Sequence, residues 1–146
     1  LLYRADQVET IDLARYLEEL IGDMQSSMGA EWADEITSSL SPITVATDRA
    51  VTIGLVLTEL VINANKYAYD GKPGPIEIAL EQHRGSFRLV VADRGKGKKS
   101  DKGHGSDGFG SRMMAAMVSQ LQGQLTFSDN QPGLRSILTA PLSPVI

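Results

Sequence analysis

The chain has 146 residues, 42% hydrophobic and 22% charged, with a net charge of −4 and no cysteine. That is one globular domain with room for a core. The acidic balance gives no reason to expect nucleic-acid binding, and the missing cysteines exclude disulfides, thiolate metal sites and a thiol nucleophile. No apolar run reaches the length of a membrane span and no signal peptide opens the chain, which starts without Met. We therefore expect a piece of a longer, cytoplasmic or membrane-bound parent, with this part in the cytoplasm.

Residues 1–10 read as a linker or the tail of a preceding helical hairpin, and 11–146 as one domain. Asp12 is placed to cap a helix whose apolar positions Leu13, Tyr16, Leu17, Leu20, Ile21 and Met24 follow helical spacing. Ile11 and Tyr16 are spaced for a hydrophobic staple. Residues 31–46 predict one or two short strands broken at Pro42. Asp48 is read as the cap of a central helix over 49–68, and the run from Asp70 to Pro75 forces a loop.

Ile76, Ile78 and Leu80, then Phe87, Leu89 and Val91, alternate about a turn at His83-Arg84-Gly85. This is an antiparallel hairpin with one buried face. Residues 98–108 are a polar, glycine-rich loop. A helix over 109–121 follows, with Met113, Met114, Met117, Val118 and Leu121 toward the core and a stop at Gly123. Leu125 and Phe127 mark a strand, and Ser136–Ala140 a last one. The sum is an α/β two-layer sandwich, one mixed sheet covered on one face by three helices.

Three constellations carry candidate chemistry. Glu59, Asn63 and Lys66 stand at i, i+4 and i+7 of the apolar central helix, so all three project from one side. A carboxylate, an amide oxygen and an ammonium together suit a metal-bound polyphosphate. Taken alone, the triplet is equally well read as a polar stripe facing solvent. Asp93, at a strand end before Gly95 and Gly97, can accept a hydrogen bond from an exocyclic amine while the glycines admit a flat ring. Its plain alternative is an Asp turn. Gly103 to Ser111 is glycine-rich and opens a helix, an arrangement that offers backbone N–H groups to an anion, or is simply a hinge. It matches G-x-G-x-x-G but follows a charged loop rather than a strand, and Gly97-Lys98-Lys99 fails as a P-loop ending. His83 and His104 read as spectators.

In this order the three motifs resemble the GHKL ATPase superfamily. Glu59-x-x-x-Asn63-Ala-x-Lys66-Tyr67 is similar to its N-box. Asp93-x-Gly95-x-Gly97 resembles its G1 box, and Gly105-Ser-Asp-Gly108-Phe109-Gly110 its G2 box, with 98–107 as an ATP lid. Asn-Ala-x-Lys-Tyr is most similar to sensor histidine kinases, and Ile11–Leu17 with Gly108–Arg112 looks like the subfamily near the HWE kinases. The resemblance implies a Bergerat-type fold with a mostly antiparallel sheet, and ATP and Mg²⁺ as cofactors.

It also implies roles. Asn63 would ligate Mg²⁺, and Lys66 and Tyr67 would contact phosphate or ribose. Asp93 would read the adenine amine, with Gly95 and Gly97 shaping that pocket. Gly105, Gly108, Phe109 and Gly110 would wrap the triphosphate. Glu59 takes the place of the family's general acid/base. The γ-phosphoryl group would pass to a histidine on a dimerisation domain that this chain lacks, and then to a response regulator. Such a chain is expected to be monomeric and unable to phosphorylate itself.

The departures are Arg94 where Asn is usual, Leu134 where Thr often follows Gly133, and the missing tryptophan-x-glutamate signature of HWE kinases. They keep open a second reading, a degenerate nucleotide-binding fold that serves as a docking or phosphotransfer module. A serine kinase of anti-sigma type is a third.

Overall fold

A computed structural model describes residues 9–95 and 109–145. The elements are β1 (Thr10–Asp12), α1 (Leu13–Met28), a short 3₁₀ turn (Ala30–Trp32), β2 (Ile36–Leu40), β3 (Thr44–Ala46) and α2 (Thr47–Asn63). A π-turn (Ala64–Ala68), β4 (Ile76–His83), β5 (Ser86–Asp93), α3 (Phe109–Gln120), β6 (Gln124–Asp129) and β7 (Leu134–Pro141) follow. The five-stranded sheet has the order β2-β4-β5-β7-β6, with β2 parallel to β4 and every other pair antiparallel. Thus the mixed, mostly antiparallel sheet with three helices stands as read from the sequence.

Alternation decides which face is inside. Ile78 pairs with Val91, which pairs with Ser136, and Leu80 pairs with Leu89, which pairs with Leu138. All six are buried. Each fully buried Leu, Ile or Phe of this kind contributes about 1.5–3 kcal/mol. The helices close over these rows with Leu13, Leu17, Ile53, Leu57, Met114, Val118 and Leu121 in one core. Gly54 lets α1 approach α2, since a Cβ there would stand 2.9 Å from the Tyr16 ring. Val90 and Ala92 on the other face of β5 are buried as well. The strand is central, paired with β4 on one side and β7 on the other.

Asp12 caps α1 as expected, accepting a hydrogen bond from the Ala14 N–H at 3.0 Å. Thr10–Asp12 is also a strand paired with β3, which the three-residue pattern did not announce. The expected cap of α2 is corrected. Ala46 holds the N-cap place, because β3 runs directly into the helix. Asp48 lies in the first turn and accepts from the Arg49 N–H at 2.9 Å, where its charge still complements the helix dipole.

Two further expectations change. Met113 is 44% exposed, because the inward stripe of α3 runs through Met114, Val118 and Leu121 and leaves position 113 beside it. The stop of α3 is a Schellman arrangement: Gln122, not Gly123, takes the left-handed conformation (φ 58°). The Gly123 N–H then donates to the Val118 carbonyl and the Gln122 N–H to Ser119. Gly123 is needed for a different reason, since a Cβ there would lie 2.8 Å from the Thr139 carbonyl oxygen.

Arg49 is the one buried cation among the described residues. Its Nη2 donates to the carbonyls of Leu121 and Pro141, so it ties the start of α2 to the last turn of α3 and the end of β7. Burial lowers its pKa, and neighbouring Asp48 works in the opposite direction.

Candidate active site

The period of β5 builds the site's floor. Phe87, Leu89 and Val91 face the helices, so the next residue in that register, Asp93, faces them too. A carboxylate therefore ends an otherwise apolar row, and it is only 5% exposed. Its Oδ1 accepts from the backbone N–H groups of Gly95 and Leu134, each at 3.0 Å. Two donors on one oxygen fix the orientation of the group and leave its second oxygen as the acceptor to offer a ligand.

Leu134 thus has a role that its side chain hid. A Leu side chain cannot make the polar contact a Thr would, but the main-chain N–H of this residue is one of the two that hold Asp93 Oδ1. Gly133 makes the approach possible. Its φ is +110°, and a Cβ would fall 1.9 Å from the Asp93 carbonyl oxygen.

The wall above is the end of α2. Glu59 and Asn63 lie on its last turns, both half-buried. The helix does not continue in α form to 68 as expected, for Ala64–Ala68 is a π-turn. That wider winding places Lys66 outside regular i, i+4, i+7 spacing, and π-turns inside helices are frequent at functional sites. The Lys66 ammonium lies 5.2 Å from the centroid of the Tyr67 ring, a cation–π contact at an exposed position.

Floor and wall touch. A Cβ on Gly95 would stand 2.4 Å from the Ala68 Cβ and 2.5 Å from its carbonyl oxygen, so glycine lets the β5 end meet the π-turn. Beside this contact the Tyr69 hydroxyl accepts from the Arg94 N–H at 2.7 Å and donates to the Pro75 carbonyl at 2.6 Å. Burial, with the charges of Asp93 and Glu35 adding to it, pushes the Tyr69 phenol above its ordinary pKa, so it keeps its proton. The structure therefore joins the helix end that carries Asn63 to the strand end that carries Asp93. Gly97, Gly105 and Gly108 lie outside the described residues, as does the expected lid. Phe109 and Gly110 open α3, and only their backbone is described.

Tyr69 and Asn130 are residues of the site that the sequence does not single out: Tyr69 follows the π-turn, and Asn130 lies in the turn between β6 and β7. Its Nδ2 donates to the Asp93 carbonyl at 2.7 Å. No local pattern marks either contact, because the partners lie 25 and 37 residues away.

A mixed, mostly antiparallel sheet covered by helices, with an inward carboxylate at the end of its central strand, fits the Bergerat fold that the motifs resemble. A sequence model of the family described as "Histidine kinase-like ATPase domain" matches residues 26–131, more than half of the chain. The chain belongs to that family. It is 25% identical over 128 residues to blue-light-activated histidine kinase 1 of Erythrobacter litoralis (strain HTCC2594), covering 86% of this chain and 36% of that one.

Solved structures agree on the fold. The histidine kinase domain of the blue-light-activated kinase from Erythrobacter litoralis EL346 superposes with a TM-score of 0.78 at 23% identity, over 90% of this chain and 62% of that one. The ATP-binding domain of PrrB from Mycobacterium tuberculosis gives 0.71 at 16% identity, over 93% and 97%. The chain spans less than two thirds of the length of the two Erythrobacter relatives.

Proposed function

We propose that this domain binds ATP with Mg²⁺ and supplies the γ-phosphoryl group to a histidine on a partner domain of the same parent, as a two-component sensor kinase does. The observation that carries this reading is Asp93: a buried, inward carboxylate with one oxygen held by two N–H groups, at a strand end whose Gly95 meets Ala68 of the π-turn that follows Asn63. Its remaining oxygen is an acceptor matched to the amine of adenine and mismatched to a carbonyl at the same place.

The residues at the helix end fit a metal that arrives with its nucleotide. Among the described residues no group of three or more His, Cys, Asp or Glu is placed to hold an ion. Mg²⁺ asks for little more than one or two protein oxygens beside phosphates and water, and the Asn63 amide supplies one. When bound, the ion would neutralise phosphate charge. Lys66 adds an exposed cation to the same end, and Tyr67 a ring beside it. Glu59, one turn before Asn63, would take the proton as the acceptor histidine attacks. Gly97, Gly105, Gly108, Phe109 and Gly110 complete the proposed nucleotide site. Phosphoryl transfer needs mainly position and charge neutralisation, which these residues provide. The partners are then the histidine-bearing dimerisation domain and a response regulator.

Asp93→Asn tests the carrying observation. It should weaken ATP binding tenfold or more, on the order of one charge-assisted hydrogen bond, and leave inorganic tripolyphosphate unchanged. Equal losses for both ligands in calorimetry would take Asp93 out of the base pocket.

A further inference from the structure

Asp93 lies where the β5–β7 ladder has ended, for the last paired residues are Ala92 and Arg135. The next peptide unit, Asp93–Arg94, must find its partners elsewhere. Both of its polar groups are bound by side chains. The carbonyl accepts from Asn130 Nδ2 at 2.7 Å, and the N–H donates to the Tyr69 hydroxyl at 2.7 Å. Asn130 reaches it from the β6–β7 turn and Tyr69 from the end of the π-turn. We propose that Tyr69 and Asn130 form a clamp on the Asp93–Arg94 peptide that sets the direction of the Asp93 carboxylate, and so act as positioning residues for adenine discrimination. This rests on the reading of Asp93 as the base contact.

The surroundings limit how far the clamp can move. The Tyr69 ring lies flat against Gly74, where a Cβ would come within 2.5 Å of it, and its hydroxyl is anchored to Pro75 on the same loop. On the other side Asn130 is fixed by its own N–H, which donates to the Gly133 carbonyl at 3.0 Å. Rotation of one peptide plane turns the Cα–Cβ bond of the preceding residue with respect to the strand. A freed Asp93–Arg94 plane would therefore loosen the angle at which Asp93 meets its ligand. The clamp acts through the Asp93–Arg94 peptide, so its expected effect is on the base contact.

The test compares ATP with purine riboside triphosphate, which lacks the 6-amino group, and with tripolyphosphate, by calorimetry on the whole chain. Tyr69→Phe removes only the hydroxyl, and Asn130→Ala removes the opposite contact without touching Tyr69. Each should lower the preference for ATP over purine riboside triphosphate by about three- to tenfold, the scale of one hydrogen bond, and leave tripolyphosphate affinity unchanged. An unchanged preference in both variants, or an equal loss for all three ligands, overturns the clamp. If Tyr69→Phe unfolds because Pro75 loses its partner, Asn130→Ala decides alone. Absence of any preference in the unmodified chain refutes the base-contact reading itself, and is seen before any variant is made.

Discussion

The two ends of the site are built differently. At the base end, Asp93 is 5% exposed and gripped by main-chain groups from the turn after β5 and the start of β7, with Gly133 packed against the Asp93 carbonyl. At the phosphate end, Glu59 and Asn63 are half-buried and Lys66 is exposed. On the proposed reading, base recognition would be part of the fold's architecture, formed with the sheet itself. Phosphate and metal recognition would be carried by side chains on a helix surface, which the core does not need. Damage to the first should cost folding as well as binding, and damage to the second only binding.

Gly133→Ala presses hardest on this contrast. Its Cβ would overlap the Asp93 carbonyl and the residue would keep a positive φ, so a loss of about 2 kcal/mol or more is expected. That should appear as a fall in Tm of roughly 6 °C or more, together with weaker ATP binding. An unaltered Tm would mean that the base end is not architectural. Asn63→Ala is the converse case. Mg²⁺-dependent nucleotide affinity should vanish while stability in denaturant melts stays within about 0.5 kcal/mol of the parent. A clear loss of stability would erase the distinction between the ends, and unchanged Mg²⁺ dependence would remove the metal role.

The smallest effect concerns pH. Tyr69 has a folded pKa above its unfolded value of about 10. The folded state therefore holds the proton more tightly. The stability this gives is full below about pH 10 and is lost as pH rises through the folded pKa. Tyr69→Phe should flatten the alkaline decline in Tm relative to the parent. A decline of identical slope in the variant would show that the hydroxyl does not couple to folding.

Much of this was legible because it rests on period. Strict alternation from Phe87 to Val91 already turns Asp93 inward, and four-residue spacing puts Glu59 and Asn63 on one side of α2. The rest depends on contacts between distant segments. The π-turn follows where Ala68 meets Gly95, the cap of α2 is displaced by β3, and the grip on Asp93 comes through the N–H of Leu134, which carries no side-chain signature. Side-chain identity at 134 says nothing of this grip, which comes through the backbone. For the same reason Tyr69 and Asn130 were invisible: each acts on a peptide group far along the chain.

The central claim is that this domain takes ATP through a prebuilt base end and a metal-assisted phosphate end. Calorimetric titration with a non-hydrolysable ATP analogue, with and without Mg²⁺ and alongside GTP, tests it most directly. The account predicts binding in the micromolar to sub-millimolar range that strengthens with Mg²⁺ and fails for GTP. No binding at millimolar ATP analogue would contradict it and leave the fold as a docking module.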